Sequence, residues 1–139
     1  MKNLFLAFAF LCFACQNFQN SSSNTLPKIT FNEDLSGKQL YIKHCAVCHQ
    51  KDAIGIKGVF PPIKNSDYFL EDPKRAIHNI LFGQSEPIIV NGVKYNSLMP
   101  PIKITDNEVV KVVNYLLGDV NIVDDRISLK DVDSVRQNP

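Results

Sequence analysis

The sequence predicts an all-α fold of three to five short helices, with a small β-hairpin in the region 87–95. Three segments begin with residues that cap helices, at Ser36, Asp72 and Thr105, and apolar residues recur at helical spacing after them. One Asn-Gly pair, at 91–92, separates two apolar runs and is the strongest short-range hairpin signal. The 139 residues suit one domain once an N-terminal targeting segment is removed.

The first helix is predicted to begin after Ser36 and to run into Cys45. Serine is a favoured N-cap because its hydroxyl accepts a hydrogen bond from an otherwise unpaired backbone N–H of the first turn. Leu40 and Tyr41 lie inside this helix. The following stretch, 51–68, contains two glycines and two prolines and shows no sustained hydrophobic period. We therefore expect a loop there.

The second helix is predicted to start at Asp72 and Pro73, with aspartate as the N-cap and proline at the first helical position. Its apolar spacing continues as far as Gly83, where the helix is expected to end. Two short apolar runs, 87–90 and 93–95, then flank the Asn-Gly pair. Because Asn and Gly both tolerate positive φ, this pair is expected to form a hairpin turn.

The last clearly predicted helix begins after Thr105, and Glu108 completes a capping box. Gly118 is expected to end this helix. Its apolar residues recur at helical spacing: Val109, Val112, Val113 and Leu116. The C-terminal tail, 119–139, alternates apolar and charged residues only weakly. Three alternatives stay open for the tail: a strand, a short helix against the domain, or a loose segment.

A signal peptide is predicted at residues 1–14. Lys2 gives a positive start, and the apolar run from 4 to 14 is shorter than the ~20 residues that a membrane-spanning helix needs. An uncleaved anchor helix is the alternative. Ala14 precedes Cys15 in what looks like a bacterial lipoprotein signal, so Cys15 is the expected lipid anchor; ordinary cleavage near Ala14 is the other possibility. We expect an exported protein on the periplasmic side of a bacterial membrane.

A flexible tether is predicted for residues 15–34, since most of this stretch is rich in Asn, Gln and Ser and lacks a hydrophobic period. The domain proper is expected to span 35–118. The formal net charge is +1, and loss of Lys2 with the signal brings it to about zero. Nucleic-acid binding usually needs a clear basic surplus, so we expect no nucleic-acid partner.

Five consecutive residues, from Cys45 to His49 (Cys-Ala-Val-Cys-His), form the most informative motif. Two cysteines three positions apart on a helical turn project from one face, about one turn apart. That spacing lets both sulfurs form thioether bonds to the two vinyl groups of one haem, and His49 can then bind the iron as an axial ligand. We expect one covalent haem c held by Cys45 and Cys48.

Three other uses of the cysteine pair are weaker. A thiol-redox site needs a βαβ setting, and none is predicted. A zinc site needs four ligands, usually from two such pairs, and the mature chain offers no second pair. A simple disulfide would leave the adjacent histidine without a role.

Met99 is the expected second axial ligand. Because Met1 leaves with the signal, Met99 is the only methionine in the mature chain, and it lies fifty residues after His49 in a proline-rich loop. Thioether sulfur favours ferrous iron and raises the reduction potential. The alternative is that Met99 merely fills core space. His44 and His78 are rival ligands, but His44 lies beside the motif on the same helix, and His78 is expected at a partly exposed surface.

Together these residues resemble the class I cytochrome c family over roughly 35–118. In that family a first helix with a Gly-x-x-x-aromatic pattern crosses a C-terminal helix bearing an aromatic residue, and Gly37, Tyr41 and Tyr115 match those places. Glycine lets two helices approach closely, and the aromatic rings fill the crossing. The stretch 91–100 is similar to that of small bacterial cytochromes and cytochrome domains associated with terminal oxidases or nitrite reductases.

The resemblance also implies a proline whose backbone carbonyl accepts a hydrogen bond from Nδ1–H of His49. Pro61 and Pro62 both match this place, and Pro62 is taken as the acceptor. Such a bond fixes the imidazole tautomer and strengthens its donation to iron.

The haem is expected to supply much of the core, because helices this short are marginal in water by themselves. At ~25 cal/mol per Å², several hundred square ångströms of buried haem surface would contribute on the order of 10 kcal/mol. We therefore expect the haem-free chain to be largely unfolded. Eight apolar residues are expected around the porphyrin: Leu40, Ile63, Phe69, Ile77, Leu81, Leu98, Ile102 and Val113.

The motif and the resemblance imply an electron carrier that transfers one electron at a time, by outer-sphere transfer, in a respiratory or denitrifying chain. No separate acid–base pair, nucleophile or phosphate loop is evident, so no enzymatic activity is expected. The alternatives are a haem enzyme or gas sensor with a labile Met99, and a permanent cytochrome subunit of a larger oxidoreductase complex. The expected partners are redox proteins, such as a membrane oxidase, a reductase or a quinol-oxidising complex, and the chain itself is expected to be a monomer.

Overall fold

The computed structural model describes residues 34–138, so the predictions for the signal peptide, for Cys15 and for nearly all of the tether lie outside the described residues. Within them, the all-α prediction with one small hairpin is confirmed. The elements are helices α1 (Gly37–His44), α2 (Ala46–His49), α3 (Asp67–Leu70), α4 (Lys74–Phe82), α5 (Asp106–Tyr115) and α6 (Leu129–Gln137), and strands β1 (Ile88–Val90) and β2 (Val93–Tyr95). The helices outnumber the three to five expected because α2 and α3 are single turns and α6 lies in the tail.

The predicted N-caps of α1 and α5 are both present, each as a reciprocal capping box. The hydroxyl of Ser36 accepts from the backbone N–H of Gln39 at 3.3 Å, and the side-chain oxygen of Gln39 accepts from the N–H of Ser36 at 2.9 Å. Thr105 and Glu108 exchange equivalent bonds at 3.3 and 2.7 Å. Because each box satisfies two otherwise unpaired donors, it fixes where its helix begins.

Helices α1 and α5 cross at Gly37, as the glycine-aromatic pattern predicts. A Cβ on Gly37 would overlap the carbonyl oxygen of Lys111 and lie 2.8 Å from Cβ of Tyr115. One turn further along α1, the fully buried ring of Tyr41 lies 5.8 Å from the ring of Tyr115, centroid to centroid. The missing side chain at Gly37 therefore allows the close approach, and the two rings fill the space beside it.

The prediction that α5 ends at Gly118 is wrong. The helix continues through a π-helical turn, Leu116–Val120, and the backbone reaches a left-handed conformation only at Ile122, where φ is 57°. Gly118 instead lies against the side chain of Arg126, since a Cβ there would stand 2.7 Å from a guanidinium nitrogen. The glycine therefore serves close packing rather than chain reversal.

The stretch 51–68 is a loop for most of its length, but its last residues begin α3. The hydroxyl of Ser66 caps this turn by accepting from the N–H of Phe69 at 3.2 Å. Helix α4 begins one residue later than predicted, with Pro73 rather than Asp72 at the N-cap position. The Asp72 carboxylate still accepts from the N–H of Lys74 at 3.0 Å, so its capping role is retained.

The predicted hairpin is confirmed, with Ile88 opposite Tyr95 and Val90 opposite Val93. Asn91 and Gly92 form its turn with φ of 51° and 74°. The turn is also fastened to α3. The side-chain oxygen of Asn91 accepts from the N–H of Asp67 at 3.0 Å, and the Asp67 carboxylate accepts from the N–H of Asn91 at 2.8 Å.

Of the three alternatives for the tail, the structure shows a short helix, α6, packed against α4 and α5. Val132 is fully buried in the core. Two salt bridges also attach α6: Lys74 pairs with Asp131 at 2.9 Å, and Arg136 pairs with Asp106 at 2.6 Å. Among residues 34–138, no helix is both long enough and apolar enough to cross a membrane.

Candidate functional site

A mostly apolar cavity lies among α4, α5, the loop before α3 and the hairpin. Cys45, Cys48, His49 and Met99 all line it, although Met99 comes from a distant part of the chain. The structure therefore brings the four predicted cofactor-binding residues to one cavity. Much of the remaining lining is hydrophobic: Phe60, Pro62, Ile63, Phe69, Ile80, Ile88, Val112 and Leu116.

The motif cysteines lie at the junction of α1 and α2. The N–H of Cys45 donates to the carbonyl of Tyr41 at 2.8 Å and closes α1, while its own carbonyl accepts from Cys48 at 3.2 Å and from His49 at 3.0 Å. The three residues therefore occupy one tight helical turn. Burial, reinforced by the neighbouring Cys48, raises the pKa of the Cys45 thiol to about 11.

This environment argues against the alternative uses of the cysteines. Redox-active cysteines have a lowered thiol pKa, whereas that of Cys45 is raised. The two thiols are free in the structure, so the simple disulfide is not formed. Within residues 34–138, no group of three or more His, Cys, Asp or Glu side chains is placed to hold a metal ion.

The imidazole of His49 is oriented by a backbone carbonyl. Its Nδ1 lies 2.9 Å from the carbonyl oxygen of Pro61. A carbonyl only accepts, so Nδ1 carries the proton and the Nε2 lone pair is left for a metal. Burial lowers the pKa of His49, partly opposed by the bond to Pro61, and this favours the neutral, ligating form.

The choice of Pro62 as the acceptor is wrong. The carbonyl that faces His49 is that of Pro61, in a loop that turns at Gly55 with φ of 64°. The N–H of Gly55 donates to the carbonyl of His49 at 3.0 Å, and the glycine packs directly against the Phe60–Pro61 backbone. Pro62 lines the cavity with its ring instead.

Met99 is held through its backbone. Its N–H donates to the carbonyl of Gln84, and its carbonyl accepts from the N–H of Gln84, both at 2.8 Å. The Met99 side chain is partly buried and lines the cavity. This two-bond bridge joins the methionine loop to Gln84, two residues beyond the end of α4.

The two rival histidines lie in different places. His44 lines the cavity at the end of α1, one residue before Cys45. His78 does not line the cavity, and its ring lies 5.1 Å from that of Phe82, on α4. The expectation that His78 is a partly exposed residue agrees with this arrangement.

Half of the residues expected around the porphyrin line the cavity: Ile63, Phe69, Leu98 and Ile102. The others do not. Leu40, Ile77 and Val113 are fully buried within the core. Ile80, Val112 and Leu116 line the cavity in their place, and Phe60 also does so unexpectedly. Helical periodicity identifies the buried face of a helix, but it does not tell which flank of that face borders a cavity.

These features fit a covalently bound haem. The cavity supplies apolar walls for a porphyrin, one helical turn presents two thiols, and a neutral imidazole and a thioether border the same space. Imidazole and thioether are both ligands of haem iron in proteins. Fold and site together define a small helical protein that holds a c-type haem.

The comparison with known families agrees. The sequence model of the cytochrome c family matches residues 35–118. The chain belongs to that family, and the class I fold and the single covalent haem c expected from the sequence are confirmed. Electron transfer through a haem is the function that this membership supports.

Two relatives illustrate the match. Over 105 residues the chain is 29% identical to a protein of Gluconobacter oxydans (strain 621H) named alcohol dehydrogenase (quinone), cytochrome c subunit, covering 73% of this chain and 22% of that protein. Over 85 residues it is 33% identical to cytochrome c-552 of Thermus thermophilus, covering 58% of this chain and 64% of the relative. The chain thus spans less than two thirds of either relative.

Proposed function

We propose that the chain is a one-electron carrier of a respiratory or denitrifying chain, with His49 and Met99 as the axial ligands of its haem. The observation behind this proposal is that both residues line the cavity of Cys45 and Cys48 and that each is fixed by backbone hydrogen bonds. When bound, the haem supplies an iron that accepts and releases one electron.

Cys45 and Cys48 would hold the haem through two thioether bonds, because one tight helical turn presents both residues to the cavity. His49 offers Nε2 while the Pro61 carbonyl holds the proton on Nδ1, which makes the imidazole a stronger donor. Met99 offers a thioether that favours the reduced state. If His49 and Met99 both bind the iron, they would leave no open position there for a substrate, and the haem would supply outer-sphere electron transfer.

Electrons are proposed to leave at the surface formed by Ile42, Val47 and Ile54. Val47 is 80% exposed, lies between the two cysteines, and lines both the haem cavity and a shallow surface groove that includes Ile42 and Ile54. Exposed apolar patches of this kind are typical of protein–protein contacts. A redox partner with a complementary apolar surface would there come close to the cofactor.

The protein is proposed to be exported and tethered to the periplasmic side of a membrane through a lipidated Cys15. The support is the sequence pattern of residues 1–14 and the polar stretch that follows it. A Cys15→Ser variant should leave the membrane fraction and appear in the soluble periplasm, and membrane attachment that survives this change would contradict the anchor.

A permanent subunit of an oxidoreductase complex is the second candidate. It is favoured by the similarity to a cytochrome c subunit of a quinone-dependent alcohol dehydrogenase. Size-exclusion chromatography of detergent-solubilised native membranes separates the two. A monomeric species of about the mass of the chain indicates a mobile carrier, and co-elution with larger proteins indicates a subunit.

The decisive experiment is a redox titration of the purified haem-loaded protein, followed by visible spectra. A single one-electron transition, together with the weak red ferric band that methionine-to-iron bonding produces, is expected. A Met99→Ala variant should lose that band and shift to a lower potential. An unchanged band and potential in Met99→Ala would overturn the proposed ligation, and rapid turnover of peroxide or tight binding of nitric oxide by the wild type would favour the enzyme or sensor alternative.

A further inference from the structure

We propose that Gly83 is a positioning residue for Met99, and that it sets how firmly the thioether stays bound to the iron. The inference rests on the proposed function, because it takes Met99 as a ligand. It adds a residue outside the motif and the methionine loop, and it explains what places that loop at the cavity.

The first observation is the backbone conformation of Gly83. This residue ends α4 by donating its N–H to the carbonyl of Asn79 at 3.0 Å, and it then turns the chain with φ of 85° and ψ of 178°. Only glycine commonly adopts this combination, because a Cβ would collide with the neighbouring backbone. A conformation reserved for glycine thus stands between α4 and Gln84.

The second observation is what the absent side chain leaves room for. A Cβ on Gly83 would lie 2.7 Å from the carbonyl oxygen of Met99 and 3.1 Å from Cδ of Pro101. That same Met99 carbonyl accepts the N–H of Gln84 in the two-bond bridge. The methionine loop therefore contacts Gly83 directly. Because glycine has no side chain, the loop can pack closely against the end of α4.

The third observation is that this contact connects with the cavity. The N–H of Ile102 donates to the carbonyl of Ile80 at 2.8 Å, so the loop is fastened to the end of α4 on both sides of the glycine contact. Ile80, Met99 and Ile102 all line the cavity. A side chain at position 83 would push the Met99 backbone away from α4 while its neighbours stay attached, and the sulfur would move with it.

The test is a Gly83→Ala variant of the haem-loaded protein, with Gly58→Ala as the matched control. Gly58 also has positive φ, 76°, but a Cβ there meets nothing within 4 Å. The readout is the affinity of ferric protein for imidazole, which competes with Met99 for the iron, together with the red ferric band. We expect Gly83→Ala to bind imidazole at least about tenfold more tightly than wild type and to weaken the band, and Gly58→Ala to match wild type.

Repeating the Gly83→Ala substitution in a Met99→Ala variant tells whether Gly83 acts by positioning Met99 or by loosening the protein in general. If Gly83 acts through the sulfur, adding Gly83→Ala to Met99→Ala leaves imidazole affinity unchanged, and a further gain in affinity overturns the proposal. Equal imidazole affinity in the Gly83→Ala and Gly58→Ala single variants overturns it too. If Met99→Ala itself leaves the band and the affinity unchanged, the proposed ligation fails first, which is a distinct outcome.

If Gly83→Ala does not take up haem, amide hydrogen exchange of the wild type decides the question. The bridge predicts that the Gln84 and Met99 amides are both protected in the ferrous protein, and that both lose protection when imidazole displaces the sulfur from ferric iron. Unprotected exchange of the Met99 amide in the ferrous protein, or protection of both amides that imidazole leaves unchanged, would refute the role of this contact.

Discussion

Gly37 of α1 lies directly against the backbone carbonyl of Lys111 on α5, with no space for a side chain between them. Because Gly37 is the first residue of α1, a Gly37→Ala change would gain at most about 1 kcal/mol in helix propensity, and it forces a methyl group into a backbone oxygen. Overpacking against a rigid neighbour costs about 1–3 kcal/mol, and backbone yields less than a side chain. We expect Gly37→Ala to lower the free energy of unfolding of the ferric holoprotein by about 2 kcal/mol in denaturant titration.

Gly118→Ala is the matched control for that change. Gly118 is also helical, but its nearest contact is the end of the flexible Arg126 side chain. The methyl group can displace that guanidinium cheaply, so helix propensity should dominate and stability should stay level or rise by up to about 1 kcal/mol. Equal losses in the two variants would show that the α1–α5 contact is not special.

Gly55 supports the histidine side of the haem site. A Cβ on Gly55 would overlap the carbonyl oxygen of Phe60 and lie 2.6 Å from that of Pro61, the acceptor for His49. Gly55→Ala should displace this acceptor and weaken the electron donation of His49. Since donation stabilises ferric iron, the reduction potential should rise; loss of about 1 kcal/mol of differential stabilisation corresponds to about 40 mV for one electron.

Potentiometry of Gly55→Ala and Gly58→Ala checks this expectation. The two glycines share the loop and positive φ, but Gly58 has open space around it. A rise in potential confined to Gly55→Ala supports the role of the Pro61 carbonyl. A fall in potential for Gly55→Ala, or the same shift in both variants, would contradict it.

Sequence spacing alone does not tell whether Pro61 or Pro62 accepts the hydrogen bond from His49. Adjacent residues offer identical carbonyl groups, and which one faces His49 depends on how the loop turns at Gly55 and on the hydrogen bonds from Ile63 and Lys64 to Ala53. Local spacing predicts the thioether turn because all of its groups lie within five residues. It does not predict contacts that are set by the path of a twelve-residue loop.

The two ends of α5 differ in the same way. Its N terminus was predictable, because Thr105 and Glu108 form a capping box within four residues. Its C terminus was not, because Gly118 stays helical and its neighbour in space is Arg126, which is eight positions away in the sequence. Helix α6 likewise depends on partners in α4 and α5, and its sequence alone has only a weak apolar face.

Val132 attaches the tail to the domain. Its side chain packs in the hydrophobic core and has no accessible surface. Removing two methyl groups from a buried site leaves a cavity, so Val132→Ala should lower the free energy of unfolding of the holoprotein by about 2 kcal/mol. Leu129→Ala, on the same helix but 50% exposed, should change it by no more than about 0.5 kcal/mol. Similar small effects of both changes would show that α6 adds little to the fold.

Asp131 gives the tail a pH dependence. The hydrogen bond from Lys74, aided by the N–H and hydroxyl of Ser128, lowers the pKa of this carboxyl from 3.8 to about 2. A carboxyl whose pKa is lower in the folded state stabilises the fold above its unfolded pKa, and this contribution is lost as pH falls towards the folded value. Because Lys74 is exposed and Asp131 is partly exposed, Asp131→Asn should cost about 1 kcal/mol or less at neutral pH.

Unfolding of Asp131→Asn and wild type should therefore differ above pH 4 and converge as pH falls towards about 2. Asp133→Asn is the control, because that carboxylate lies on the same helix, is exposed, and among residues 34–138 accepts a side-chain hydrogen bond from Gln137 alone. A difference for Asp131→Asn that persists unchanged to the lowest pH would mean that the effect does not come from ionisation.

A substitution at Val47 tests most directly whether electrons leave through the proposed exit surface. Electron self-exchange between ferrous and ferric copies of the chain needs two cofactors to come close, and the proposed exit surface centres on this 80%-exposed side chain. In Val47→Asp the two copies would bring like charges together and would desolvate them. We expect the self-exchange rate, measured by NMR line broadening in mixtures of the two oxidation states, to fall on the order of tenfold.

Ile122→Asp is the control for Val47→Asp, because Ile122 is 88% exposed and lines neither the haem cavity nor the groove beside Val47. The same charge placed there should leave self-exchange within about twofold of the wild-type rate, because it would lie outside the surface at which the two copies meet. Raising the salt concentration should restore part of the rate in Val47→Asp, because screening weakens the repulsion between exposed charges. Equal slowing by both substitutions would place the exit surface elsewhere on the molecule.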